Sequence, residues 1–329
     1  MIERYFLSDE DLNGFALDPQ YEEQANFSQT QAQEAASPLQ SQALQQALAT
    51  FNAARLAPAK PAAHWRTQLL DELYFRTAEG EFIEGLRQTV APALAEGVGV
   101  DADNFMTWFE RLAETGPGQG HHLFDYLAEE ATLSEMRWFL EQEAAGEAGF
   151  EDLLAMTQVR LPVRAKLEFA RNYWDEMGHG KVKAMHGEML GAMVKGLELK
   201  PAISTTVTES LMLGNAMVAF ASSRRYAYHA IGALGVIELT APGRVRRVAE
   251  GMKRLGLNPR LRAYFDLHAV LDVKHAEAWN AEVIRPLVEA DPACARFIAE
   301  GALIRLHCGN RCFKRYSQHL LPTKTPLPA

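Results

Sequence analysis

Cysteine is scarce in this chain, and the scarcity excludes two kinds of site. The 329 residues include only three cysteines, and an odd number in a chain without an evident secretion signal predicts reduced thiols. Cys308 and Cys312 lie four positions apart beside His307, but a zinc site would need two further ligands at matching spacing. A nucleophilic cysteine would need a strained turn and a mainly α/β scaffold, and neither is indicated. We therefore predict that the cysteines are buried apolar side chains.

Long hydrophobic runs and excess positive charge are also missing. No apolar run approaches the roughly 18 residues of a membrane span, and the start MIERYFLSDEDLNG lacks a basic stretch followed by an apolar one. These absences predict a cytoplasmic protein without a membrane partner. The chain has 33 Lys and Arg against 42 Asp and Glu, a net charge of −9, which argues against nucleic acid as a partner.

The third absence is that of β-structure, since no run of alternating β-branched residues is bounded by hairpin turns. We predict an all-α fold, with residues 1–118 forming an N-terminal arm and helical extension and residues 119–329 forming the main domain, divided at ETGPGQGHH. The extension is expected to pack on the main domain or to form a dimer contact. After a first helix that begins near Ser37 and ends before Pro58, the periodicity predicts helices at 63–75, 79–95, 102–114, 121–130, 133–157, 161–178, 181–197, 203–221, 223–240, 243–255, 260–288 and 291–319.

Within YFDLHAVLDVKHAEAWNAEVI, three polar side chains share one face of a predicted helix. His268, Asp272 and His275 are spaced by four and three positions, so at about 100° per residue they point in nearly the same direction. Two imidazoles and a carboxylate aimed at one point suit a transition metal. Nitrogen and oxygen donors without a thiolate favour iron or manganese over structural zinc. Polar residues aligned by chance on a helix face are the alternative.

Other acidic and imidazole side chains supply the rest of a possible coordination shell. Glu176 and His179 form a Glu-x-x-His pair, the usual signature of a carboxylate-bridged metal pair in a helical bundle. His186 lies on the same stripe. Glu143 falls on the apolar stripe of its helix, and Glu238 ends the apolar run AIGALGVIEL. A buried acid costs several kcal/mol when unpaired, so these two positions indicate a cationic partner.

The chain resembles the heme-oxygenase-like diiron oxidases and oxygenases, also called iron-containing redox enzymes. The resemblance runs from about Gly120 to Tyr316 and rests on HLFDYL, FLEQE, NYWDEMGHG, GVIELTAPGR and YFDLHAVLDVKHAEAW. It implies a heme-oxygenase-like helical bundle that holds two metal ions. The ligands that it implies are Glu143, Glu176, His179, Glu238, His268, Asp272 and His275, with His186 as a second-shell residue or an alternative ligand.

The resemblance further implies two non-heme iron ions as cofactor and O2 as co-substrate. The expected reaction is oxidation of a small organic molecule by N-oxygenation, oxidative C–C cleavage with decarboxylation, or desaturation. An external electron donor and a homodimer are both compatible with this expectation.

Three alternatives to a diiron enzyme stay open from the sequence. One is a metal-free enzyme of the same architecture, resembling thiaminase-like or pyrroloquinoline-quinone-synthase-like proteins. Another is a heme-degrading enzyme that uses His121 or His122, although its heme would meet an interior rich in carboxylates. The third is a non-enzymatic binding protein that retains degenerate ligands.

Overall fold

A computed structural model describes residues 41–95, 98, 101–147 and 149–321, and all regular structure in these ranges is helical. The predicted all-α class is confirmed. Thirteen α-helices are present in the described ranges: α1 Gln42–Leu56, α2 Trp65–Ala95, α3 Ala102–Thr115, α4 Leu123–Glu129, α5 Leu133–Glu147, α6 Phe150–Thr157, α7 Val163–Glu176, α8 His186–Gly196, α9 Thr208–Ser222, α10 Ala227–Arg254, α11 Pro259–Trp279, α12 Arg285–Ala290 and α13 Cys294–Leu320. Short 3-10 turns cover Gly178–Gly180, Val182–Ala184 and Arg224–Tyr226, and a π-helical turn, Asn280–Ile284, joins α11 to α12.

Helix α10 is the centre of the bundle and packs most extensively on α11 and α13. Its contact with α13 brings the two backbones together at two glycines. A Cβ on Gly232 would lie 1.9 Å from the carbonyl oxygen of Ile298, and a Cβ on Gly301 would lie 2.0 Å from that of His229. Any side chain at either position would therefore push the helices apart, so these glycines fix how closely α13 approaches the helix that carries Glu238.

The N-terminal helices share a hydrophobic core with the later ones. Phe82, Leu86 and Phe109, from α2 and α3, are fully buried in the same cluster as Ile231 of α10 and Ile304 of α13. The division at residue 118 stays a prediction, and the expected packing of the described extension on the main domain is observed. The polar arm expected at residues 1–37 lies outside the described residues.

Several predicted helix boundaries differ from the structure. The predicted break between 240 and 243 is wrong, because α10 continues through Pro242 although a proline cannot donate to the carbonyl four residues earlier. The helices predicted at 63–75 and 79–95 form one helix, α2, whereas the one predicted at 133–157 is divided into α5 and α6. In α10, tertiary packing on both sides of the helix overrides the helix break that Pro242 indicates. Among the described helices, none combines the length and apolarity that a membrane span requires.

A buried ion-pair cluster fastens α2 and α10 to α13. Glu300, which is 2% exposed, accepts hydrogen bonds from Arg87 Nε at 2.7 Å, His229 Nε2 at 3.0 Å and Arg296 Nε at 3.1 Å. Burial alone would raise the pKa of Glu300, but these three donors outweigh it and lower the pKa to about 2. The carboxylate therefore stabilises the fold in its charged form.

We expect Glu300→Gln to lower the free energy of unfolding by about 2–3 kcal/mol at pH 7, because two buried donors lose a charged acceptor. The pKa of Glu300 lies below its ordinary value of 4.5 in the folded state, so its stabilisation is complete above that value and is lost as pH falls towards about 2. Urea unfolding of both proteins between pH 7 and pH 3 should show the difference shrinking. Glu250→Gln, which removes one exposed partner of Arg247, is the control and should cost at most about 0.5 kcal/mol.

Candidate metal centre

Four helices bring six buried metal-binding side chains together in two groups. The first triad is Glu176, His186 and His268, and the second triad is Glu238, Asp272 and His275. In each triad, one ligand atom from every residue lies within 4.8 Å of the others. All six side chains are at most 5% exposed. Cationic charge is the natural partner for such a buried set of carboxylates and imidazoles.

Helix α11 contributes to both triads. It begins at Pro259, where the Asn258 side chain accepts from the backbone N–H of Leu261, and it continues to Trp279 without interruption. His268, Asp272 and His275 therefore keep the helical spacing that the sequence indicates, and they face α7 and α10. One turn of helix separates His268 in the first triad from Asp272 in the second.

Helix α7 supplies Glu176 and Asn172 from its buried face. The buried residues of this helix recur at positions 165, 168, 169, 172 and 176, the spacing of one helical face. Glu176 Oε2 lies 2.6 Å from His186 Nδ1 and 3.7 Å from His268 Nε2, and its Oε1 lies 3.9 Å from His275 Nδ1. Glu176 thus contacts histidines of both triads.

The second triad is held by contacts from α7. Asn172 Nδ2 donates to Glu238 Oε1 at 2.8 Å, while Glu238 Oε2 lies 3.4 Å from His275 Nδ1. His275 Nε2 donates to Asp175 Oδ2 at 3.1 Å. A carboxylate on the far nitrogen orients the imidazole and leaves Nδ1 facing the triad, which is the arrangement seen around metal-bound histidines.

The first triad is oriented by a backbone carbonyl and two aromatic rings. His268 Nδ1 donates to the carbonyl oxygen of Tyr264 at 2.7 Å, so its Nε2 faces Glu176. The His186 ring stacks on Phe150 at a centroid distance of 5.4 Å and meets the edge of Tyr264 at 4.8 Å. Both imidazoles are therefore fixed by neighbours that are not themselves candidate ligands.

Three imidazole nitrogens in the triads are buried and have no hydrogen-bond partner among the described residues: His186 Nε2, His268 Nε2 and His275 Nδ1. Such orphaned buried atoms are rare in folded proteins. A coordinated cation would satisfy them and would also offset the buried carboxylates. The residues therefore fit a metal centre with nitrogen and oxygen ligands.

When no metal is bound, protons on the imidazoles must balance the negative charges of the buried carboxylates. Burial would raise the pKa of Glu176, but the neighbouring imidazoles of His186 and His268 hold that pKa well below the usual range. Burial would likewise lower the pKa of His275, but the neighbouring carboxylates of Glu238 and Asp175 raise it to about 9. The pKa of His268 is raised, because Glu176 outweighs the effect of burial.

The structure does not bring His179 to the triads and places His186 there instead. Helix α7 ends at Glu176, so His179 is no longer one turn along the same face. It lies in a turn with φ of +53°, its side chain is 61% exposed, and its Nε2 lies 2.5 Å from Asp175 Oδ1. The interpretation of Glu176 and His179 as a helical Glu-x-x-His pair therefore fails geometrically.

Glu143 lies outside both triads but lines the same cavity. This cavity of about 70 Å³ is lined by Glu143 together with Glu176, His268 and Asp272. The Tyr316 phenol, which is hydrogen-bonded to Glu143, has a raised pKa because of burial and this neighbouring acid. The assignment of Glu143 as a metal ligand stays a prediction.

The residues that orient the histidines were not indicated by the sequence. Asp175 precedes Glu176 and points about 100° away from it around the helix, so no periodic pattern selects it. Its partner His275 is 100 positions distant. Neither His121 nor His122, the residues considered for a heme site, lines the cavity, and His121 packs on Phe313.

Comparison with known proteins places this geometry in context. A model of a haem-oxygenase-type family, described as Iron-containing redox enzyme, matches residues 137–310, just over half of the chain and all six triad residues. No curated protein matches the sequence.

Two solved structures match this chain to different degrees. A CADD-like protein of unknown function from Nostoc punctiforme has a TM-score of 0.52 at 14% identity, with 70% of this chain and 100% of that chain covered. A domain of unknown function with a heme oxygenase-like fold from Shewanella denitrificans has a TM-score of 0.46 at 13% identity, with coverage of 69% and 97%. At such identity, the first likeness shows the fold alone.

Proposed function

The chain belongs to the family of iron-containing redox enzymes, and from that premise we propose that it is a non-heme diiron enzyme that uses O2 to oxidise a small organic substrate. Membership confirms the resemblance found in the sequence and the heme-oxygenase-like fold that it implied. The number of irons, the use of O2 and the substrate go beyond membership and belong to the proposal.

The observation that carries the proposal is the pair of buried triads, which approach each other where Glu176 of the first lies 3.9 Å from His275 of the second. Each triad offers imidazole nitrogen and carboxylate oxygen atoms within 4.8 Å of one another, the scale of one metal coordination sphere. With Glu143 in the same cavity wall, the carboxylates number four and match the charge of two divalent ions. Imidazoles bind metals in the neutral form, so they leave this balance unchanged.

Each residue then has a defined task at the centre. Glu176 and Glu238 are the proposed bridging carboxylates, since His275 contacts both of them. His186, His268, Asp272 and His275 are the proposed terminal ligands, with Glu143 as a further one. Asp175 and the Tyr264 carbonyl orient His275 and His268 through their outer nitrogens.

Iron bound at this site would supply the capacity to bind and reduce O2. The protein itself excludes water and shapes the cavity, whose walls include the rings of Phe124, Phe139 and Phe265. N-oxygenation, oxidative C–C cleavage with decarboxylation, and desaturation are the reactions proposed for this centre. A redox enzyme with a narrow, partly aromatic cavity is compatible with each of them.

The proposal predicts that the protein, loaded anaerobically with ferrous iron and freed of excess metal, retains two irons per chain. The loaded protein should consume O2 on exposure to air, whereas protein kept with a chelator should not. Elemental analysis and an oxygen electrode measure the two quantities. Retention of no iron, with the fold intact by circular dichroism, would exclude a diiron enzyme and favour a metal-free enzyme of this architecture.

A further inference from the structure

One buried cation near the metal centre has no counter-ion among the described residues. Arg305 of α13 is 8% exposed, its Nε has no hydrogen-bond partner, and no carboxylate of the described residues lies within ion-pair distance. Other inward-facing arginines are paired, Arg55 with Glu79 and Arg87 with Glu300. An unpaired buried guanidinium is costly, so Arg305 calls for an anionic partner from outside the chain.

Arg305 lies at the boundary between two cavities. The smaller one, of about 70 Å³, is lined by five of the six triad residues, all but His275, and the larger one, of about 410 Å³, adjoins it. The two cavities share six wall residues: Gly146, Phe150, Ser210, Leu213, Ile237 and Arg305. The larger volume falls in the range of small-molecule sites.

The larger cavity is mostly apolar, with walls that include Leu153, Leu211 and Met217. Among the described residues, its only charged lining residues are Arg305, which also lines the smaller cavity, and Asp152, which is exposed. The uncharged polar side chains of the wall each make a hydrogen bond within the protein, although Asn52 Oδ1 has no partner. For example, Ser210 Oγ lies 2.7 Å from the Tyr316 hydroxyl. A ligand in this cavity would therefore meet mostly apolar surface and a single cation, Arg305, where the two cavities adjoin.

A glycine makes room for the guanidinium. Gly309 follows Arg305 by one helical turn, and a Cβ at that position would lie 2.8 Å from Arg305 Nη1. Any larger residue at 309 would displace the guanidinium. The glycine thus leaves space for the guanidinium beside its own helix.

We propose that Arg305 binds the carboxylate of the substrate, an organic acid whose apolar part occupies the larger cavity. This inference rests on the proposed function, since it names the substrate class of that same centre. The planar guanidinium offers paired N–H donors that match a carboxylate, and an apolar site strengthens such a pair. In this position the acid end, rather than the apolar end, lies next to the triads.

The test uses hexanoate, octanoate and 3-phenylpropanoate, each with its neutral primary amide as a size-matched control. Isothermal titration calorimetry is performed on the wild type in the metal-free form and in the anaerobic iron-loaded form, since a carboxylate can also bind a metal directly. We expect at least one acid to bind more tightly than its amide in both forms. Arg305→Met should weaken the binding of that acid by about tenfold to a hundredfold and leave the binding of its amide unchanged, as expected for loss of a charged hydrogen-bonded pair.

Two further variants separate the charge from general structural effects. Arg305→Lys keeps the charge without the paired donors and should retain part of the acid preference. Arg296→Met removes an arginine of the same helix whose side chain is 69% exposed and lines neither cavity, and it should bind the acid like the wild type. Circular dichroism checks that each variant is folded.

Equal binding of acids and amides by the wild type would overturn the proposal, as would unchanged acid affinity in Arg305→Met. Acid binding that occurs only in the iron-loaded form would also overturn it, because the metal would then be the binding group. The first two outcomes can be measured in the metal-free form and do not depend on whether the chain binds two irons. Failure of the diiron proposal would appear in iron content, and failure of the present proposal in ligand affinity.

Discussion

His186→Ala is expected to lose one of the two proposed irons, whereas His179→Ala is expected to retain both. His186 is 3% exposed, lies 2.6 Å from Glu176 and has an orphaned Nε2, so its removal opens the first triad. The His179 side chain is 61% exposed and contacts only the outer carboxylate Asp175, so its removal leaves the six triad residues in place. Iron content after anaerobic loading measures the difference.

The two variants are controls for each other, because each removes one imidazole from the same short segment. Circular dichroism should show nearly unchanged helicity in both. Retention of two irons by His186→Ala together with loss of iron by His179→Ala would contradict the assignment. It would mean that the loop from Gly178 to Ala184 rearranges when metal binds.

The contribution of α11 could be predicted from the sequence because it depends only on an uninterrupted helix. His268, Asp272 and His275 are within eight residues of one another, and the cap at Asn258 and the Pro259 start are local signals. Their common face follows from helical geometry without knowledge of any other element. The metal-binding chemistry of this segment, two imidazoles and a carboxylate, could be predicted for the same reason.

The position of His179 differs from the expected one because the helix ends at Glu176, and the sequence contains a signal for this end. Gly178 has φ of +60°, and a Cβ there would lie 2.5 Å from the carbonyl carbon of Ala184, so this glycine is required where the chain turns. A glycine soon after a helical run is a common termination signal. The sequence interpretation ended the helix at residue 178, yet it used the three-residue spacing to place His179 on the face of Glu176, whereas the structure ends the helix at Glu176.

The remaining features of the centre depend on tertiary packing that no local pattern encodes. Asp175 contacts His275, which is 100 positions away in the sequence, and Asn172 contacts Glu238, which is 66 positions away. The approach of α13 to α10 through Gly232 and Gly301, which sets the wall that carries Arg305, is of the same kind. Such contacts are determined by the whole bundle, and only the structure reveals them.

Glu176→Ala is expected to abolish retention of both irons, a larger loss than that of any terminal ligand. Glu176 contacts His186 and His268 in the first triad and lies 3.9 Å from His275 in the second, so its two oxygens face both proposed sites. Asp272→Ala should by comparison lose only the iron of the second triad. Iron content and the rise in melting temperature on adding ferrous iron measure the effect, since a ligand that binds the folded state raises that temperature.

Glu168→Gln provides the matched control for this prediction. Glu168 lies on the same helix, is equally buried at 2% exposure and pairs with Arg171 outside the triads, so its neutralisation should leave iron retention unchanged. The comparison separates loss of a bridging carboxylate from loss of any buried acid on α7. If Glu176→Ala still retains one iron with the wild-type increase in melting temperature, Glu176 serves a single site and the bridging role must pass to Glu238.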